Sequence, residues 1–283
     1  MTRIDRRALF ATGSAAALLA AVGMSAQAAP ARGGELRAAL SGGDRDEGWL
    51  NVPGGRFLRA ARNAVFETLT EIAPDGTLQP GLADRWFASK DGAQWTFVLR
   101  GDVQFHDGTP LDAKDVVASL QAFGLRATGD KDVTVQLDQP DPAFPFRAAR
   151  EGLVIFRQQE LASGNPVTSG TGLYRIVRFD AGRTFIGERV ETHRKDGRAG
   201  WFDRIELVAL SDETVRAQAL REGIVDVADI DSAYDLAGFS DIELISENGK
   251  IGAALRNTVK HSLRTGPQPL DDLRFAERWW AAT

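Results

Sequence analysis

A chain of 283 residues with 43% apolar and 26% charged side chains has enough material for one large domain or two ordinary ones, each with a packed core. Its formal charge of −5 argues against nucleic acid and anionic membrane surfaces as partners. The absence of cysteine excludes disulfide staples, thiol catalysis and thiolate metal sites, so stability has to come from the core.

The opening, "MTRIDRRALFATGSAAALLAAVGMSAQAAP", joins a basic start to an uncharged Ala/Leu-rich run and the small-residue triplet Ala26-Gln27-Ala28. That order predicts an export signal over residues 1–28, cleaved before Ala29. As a membrane anchor the run from Ala8 to Met24 is at the short limit, and Thr12, Gly13 and Ser14 dilute it. Arg6-Arg7 followed by Ala8-Leu9-Phe10 resembles a twin-arginine signal, with Asp5 where Ser or Thr is more usual. The expected location is the bacterial periplasm.

Beyond the signal, "GGELRAAL" suits a first strand and the Gly/Asp/Pro-rich stretch after it a loop. Phe57, Ala61, Ala64, Val65, Thr68 and Leu69 recur at helical spacing and predict one buried helix face. "APDGTLQPGLADRW" reads as turns, and "QWTFVLR" as a strand through Trp95, Phe97 and Leu99. The following "VQF" is expected to pair antiparallel with it. His106-Asp107-Gly108 reads as a turn, and Asp112, with Asp115 three residues on, as a capping box. Val116, Val117, Leu120 and Phe123 form the apolar face of that helix, and Gly124 its left-handed stop.

"DVTVQLDQP" alternates as a strand, and "ASGNPVTSGTGLYRIVRF" begins as a loop and ends as another. "RTFIGERV" and "WFDRIELVAL" are further strands. Ser211 is expected to cap the helix "SDETVRAQALREG", with Asp212 and Glu213 in its first turn and Gly223 at its end. "IVDVADI", "IELIS" and "IGAALRN" return to strand, and the chain closes on the helix "LRFAERWWAA", where Trp279 and Trp280 cannot share one face. The alternation predicts an α/β class with mixed sheets. The expected division is a lobe over residues 51–159 inserted into one built from 29–50 and 160–283.

Little here points to chemistry. His106, His193 and His261 lie apart and lack the companion spacing of a metal motif. No G-x-S-x-G elbow is present, and Gly170-Thr171-Gly172 lacks the third glycine and the strand-to-helix context of a phosphate loop. Asp271-Asp272 reads as a helix cap. No catalytic residue, cofactor or metal is expected. Trp86 and Trp95 are read as core, whereas Trp49 and Trp201 are candidates to face a cleft.

Three blocks together carry a resemblance: "FETLTEIAPDGTLQPGLADRWFASKDGAQWTFVLRGDVQFHDGTPLDAKDVVASL", "NPVTSGTGLYRIVRFDAGRTFIGERV" and "WFDRIELVALSDETVRAQALREGIVDVADI". They resemble the extracytoplasmic solute-binding proteins of peptide/nickel-type ABC transporters, the family-5 group that includes oligopeptide- and dipeptide-binding proteins. The resemblance implies a periplasmic-binding-protein-like, two-lobe α/β scaffold in which His106 belongs to the architecture. It also implies a cleft that closes on the ligand and is then recognised by an inner-membrane ABC permease. Leu173 stands where the family usually has Pro, and the chain stops at Thr283 where family members continue into a large third domain. That predicts a shortened protein lacking most of the closing domain, with a second chain as an alternative cover for the open cleft.

The expected function is the solute-binding component of an ABC importer, with a peptide or similar small solute as ligand. A periplasmic adaptor or sensor that binds a protein partner is the alternative, and an enzyme is not expected. Residues expected at the ligand are Trp49, Ser169, Thr171, Gly172 and Asn257.

Overall fold

The computed structural model describes residues 32–46, 48–50, 55–73, 76–150, 152–164, 166–232, 234–247 and 250–257. The expected export signal, the Asp271-Asp272 cap and the closing helix with its two tryptophans lie outside the described residues. In chain order the elements are β1 (Glu35–Leu40), α1 (Arg56–Val65), β2 (Thr70–Ile72), β3 (Leu78–Pro80), β4 (Ala83–Ala88), β5 (Gln94–Leu99) and α2 (Ala113–Ser119). They continue as β6 (Arg126–Ala127), β7 (Asp132–Gln136), α3 (Phe144–Ala148), α4 (Gln158–Ser163), β8 (Tyr174–Asp180), β9 (Thr184–Arg189) and β10 (Arg204–Ala209). The last are α5 (Glu213–Arg221), β11 (Val227–Ala228), β12 (Ile242–Glu247) and β13 (Lys250–Arg256).

The larger sheet has the order β12-β13-β11-β1-β10-β9-β8. At its centre β1 runs parallel to both β10 and β11, while the outer pairings are antiparallel. Strand geometry sends alternate side chains to opposite faces, and β1 shows the result. Leu36, Ala38 and Leu40 enter one apolar core with α1, whereas Ala39 enters another with Ala217, Leu220 and Ile230 around α5. A helix thus covers each face, and Ala38, Ala39 and Leu40 are buried in succession.

Helix α1 fits closely because its inward positions are small: Ala60, Ala61 and Ala64 lie between Phe57 and Val65, all buried. The sequence reading assigned this helix to the inserted lobe, yet residues 57–66 lie in the core of the larger sheet. A separate core begins at Leu69 and ends at Ile155, built on the four-stranded antiparallel sheet β4-β5-β7-β6 together with α2.

Helix α2 starts as its sequence requires. The Asp112 side chain accepts from the Lys114 and Asp115 amides, and the Asp115 carboxylate accepts from the Asp112 amide. Beyond Ser119 a 3-10 turn over Gln121–Phe123 carries the chain to Gly124, at φ +64°.

Three local expectations are corrected. "VQF" does not pair with β5, whose neighbours are β4 and β7; its single bridge is Gln104 to Pro110. Strand β4 forms where turns alone were expected, because it is an edge strand whose mostly exposed residues show little apolar pattern. Asp212, one residue beyond Ser211, caps α5, since its carboxylate accepts from the Thr214 and Val215 amides.

Candidate functional site

The carboxyl ends of β1, β10 and β11 open side by side, and in sheets with parallel strands such ends are where ligands bind. A buried carboxylate organises them. Asp229, wholly excluded from solvent, accepts from the Ser41 amide at 3.0 Å and from the Ser41 hydroxyl at 2.5 Å. The Arg216 guanidinium lies 2.6 Å from its other oxygen and also donates to the carbonyls of Asp229, Leu210 and Ser211. Arg56, the first residue of α1, stands 3.6 Å from both Asp229 and Asp231.

Glycine lets three backbone segments meet here. A Cβ on Gly43 would lie 2.5 Å from the Ala209 Cβ and 2.8 Å from the Gly182 carbonyl oxygen. One on Gly55 would lie 2.5 Å from the Gly42 carbonyl oxygen. The recess they shape holds about 620 Å³ and is lined by Gly42, Gly43, Asp44, Arg45, Asp46 and Ser211. It opens broadly, with charges of both signs at its lip.

A second recess, of about 460 Å³, lies between the hairpin at 102–108 and the segment joining β9 to β10. It is lined in part by Thr171 and Gly172 of the strap Ser169–Gly172, which crosses the carboxyl end of α1. The Gly172 amide donates to the Val65 carbonyl, and a Cβ on Gly170 would fall 2.0 Å from that same oxygen. Only glycine allows that crossing. Under the strap, Glu67 has 2% of its side chain exposed and forms a fork with Arg194, both contacts at 2.6 Å, with Lys195 at 3.3 Å. Burial by itself would raise the Glu67 carboxyl, but the charges of Arg194 and Lys195 hold it well below the usual carboxylate range.

The residues expected at the ligand fall in three places. Trp49 belongs to the connection leaving β1 but turns inward: it is 7% exposed and stacks at 3.9 Å on Phe179, with Phe66 and Phe185 against its edges. Its cleft-facing placement is therefore corrected, because the apolar gap among those rings is the better environment for an indole. Ser169, Thr171 and Gly172 lie in the strap, at the far end of α1 from Arg56, about 15 Å away at 1.5 Å of rise per residue. Asn257 lies at the opposite edge of the larger sheet, beyond the β13 residue that pairs with Ile242, and its side chain donates to the Ser240 carbonyl. These positions do not form one site. Trp201, also a candidate for a cleft, is half-buried, and its carbonyl accepts from the Gly33 amide.

Sequence reasoning missed Asp229 and Glu67, since each finds its partners far along the chain. The available signal was acidic residues within otherwise apolar stretches, Asp226 and Asp229 in "IVDVADI" and Glu67 in "AVFETL". Among the described residues no group of three or more His, Asp or Glu side chains is placed to hold a metal ion.

The model of bacterial extracellular solute-binding proteins, family 5, matches residues 77–275. The chain belongs to this family. Among curated family-5 relatives, the nickel-binding periplasmic protein of Escherichia coli K12 is 26% identical over 248 residues, covering 77% of this chain and 46% of that protein. A probable peptide ABC transporter periplasmic-binding protein of Sinorhizobium fredii is 29% identical over 259 residues, covering 79% and 48%. Among solved structures, the periplasmic binding protein AgaA of A. tumefaciens R10 in complex with agropinic acid superposes with a TM-score of 0.68 at 27% identity, covering 75% of this chain and 48% of that one. This chain spans about half the length of the family-5 relatives it matches.

Proposed function

We propose that this chain is the solute-binding component of a bacterial ABC importer, exported by residues 1–28 and working in the periplasm with an inner-membrane permease. The observation that carries the reading is the convergence of three loops, 41–46, 210–212 and 229–231, at the carboxyl ends of parallel strands around one neutralised carboxylate. The ligand, a peptide or similar small solute, lies against these loops, with Arg56 and the amides of the Gly42-Gly43 turn as the polar groups it meets. Trp49 supports the loop from inside. The scaffold divides into two lobes, one on each sheet, with the crossings near residues 67 and 155, where the two apolar cores meet.

A thermal-shift series on the purified chain with di- and oligopeptides, nickel chelates, sugars and haem tests this. A melting temperature that rises with ligand concentration, as linkage requires, and a smaller rise in Asp229→Asn are the expected result. A folded chain that responds to none of them moves the assignment to a protein-binding adaptor.

A further inference from the structure

The strap at 169–172 is gripped by two imidazoles, and the contacts of His106 fix it as the neutral tautomer with its proton on Nε2. His106 accepts from the Gly170 amide at Nδ1, 3.4 Å, and donates from Nε2 to the Gly172 carbonyl, 2.9 Å. His193 accepts from the Lys195 amide at Nδ1, 3.1 Å, and donates from Nε2 to the Thr171 carbonyl, 3.1 Å. Only His106 belongs to the hairpin of the smaller lobe, and its own amide donates to the Gly170 carbonyl at 2.8 Å. The neighbouring Asp107 amide adds a bond to the Ser169 hydroxyl at 3.3 Å. Hairpin and strap are thus joined by two backbone amides and by one titratable ring.

From this geometry we infer that His106 is a proton-sensitive latch, whose protonation releases the hairpin at 102–108 from the strap and opens the recess between them. A proton on Nδ1 turns its lone pair into an N–H that faces the Gly170 N–H. One hydrogen bond is lost and two donors are left opposed. The Thr171 hydroxyl, 2% exposed and without a hydrogen-bond partner in the closed strap, marks a segment that gives up little on moving.

The charged surroundings set the direction. Glu67, beyond the end of α1, favours a proton on the ring, but Arg194 and Lys195 from the loop after β9 already neutralise it. Arg175 from β8 opposes it. Asp107 on the hairpin is engaged by Arg157, and Glu160 of α4 by the Thr168 amide and hydroxyl. Loss of hydration pushes His106 below its ordinary value of 6.5, with the hydrogen bond to Gly172 opposing that shift. A His held down in the folded state stabilises the fold fully above that ordinary value. The contribution is lost as pH falls below 6.5 toward the folded value.

Amide hydrogen exchange between pH 7.5 and 5, corrected for intrinsic rates, tests the latch. In the wild-type chain, protection of the His106, Asp107 and Gly170 amides falls about threefold or more relative to those of β9 and β10; single-proton linkage sets a ceiling of about tenfold per pH unit. His106→Gln keeps a donor near Nε2 without a titrating proton and makes the ratio flat, whereas His193→Gln leaves the transition in place. A flat wild-type ratio, or a transition that survives in His106→Gln and disappears in His193→Gln, overturns the inference. If His106→Gln does not fold, NMR of the wild-type chain decides: ring and strap amides must titrate with one midpoint, and separate midpoints overturn the latch.

Discussion

Helix α1 separates two buried carboxylates that face the same problem and solve it differently. Asp229, at its amino end, is held by Ser41 and by two arginines, Arg56 at 3.6 Å and Arg216, which has three backbone carbonyls as further acceptors. Glu67, at its carboxyl end, faces the cations Arg194 and Lys195, which it shares with Glu71. Removing the charge from the first leaves Arg216 its three carbonyl acceptors; removing it from the second leaves Arg194 and Lys195 with less counter-charge in a buried cluster. The Asp229 end is the one proposed to meet the ligand, whereas the Glu67 end braces the strap.

The largest effect that sharpens this contrast is expected from Glu67→Gln, a loss of about 3–5 kcal/mol in denaturant unfolding, because Arg194 and Lys195 stay buried. Asp229→Asn keeps an acceptor for Ser41 and is expected to lose about 1–3 kcal/mol. Equal losses at the two positions would break the comparison. The acid limb offers a second view. The depressed Glu67 carboxyl contributes stability that is complete above its ordinary value of 4.5 and disappears as pH falls toward the folded value. The fall in stability below pH 4.5 should accordingly be shallower in Glu67→Gln than in the wild type. Asp112→Ala, which removes the cap of α2, should lose about 1 kcal/mol. Arg175→Ala, which breaks an exposed pair with Glu188, should change stability by about 0.5 kcal/mol or less.

What was legible in the sequence was local. The box of Asp112 and Asp115, the stop at Gly124 and the apolar face of α1 follow from contacts within a few residues, so spacing reveals them. The family was legible too, in motifs that build the smaller sheet and the strap. What failed was non-local. Whether an indole in a glycine-rich loop faces solvent or core was decided by Phe179 and Phe185, which no spacing around Trp49 discloses. The same holds for the site: Ser41, Arg216 and Asp229 meet only because β1 lies between β10 and β11. Asn257 was read from its place beside a crossover, and the register of β13 against β12 set it at the other edge.

The central position of β1 also has a consequence for biogenesis. Both of its neighbours are encoded late, Arg204–Ala209 and Val227–Ala228, so a ribosome must complete most of the chain before the first strand has anything to pair with. The smaller sheet needs only residues 83–136 and can form while synthesis continues. Closing the larger one is a search over long loops, which is slow. Until then "ELRAAL" remains an unpaired segment near the start of the chain, within reach of whatever chaperone attends it.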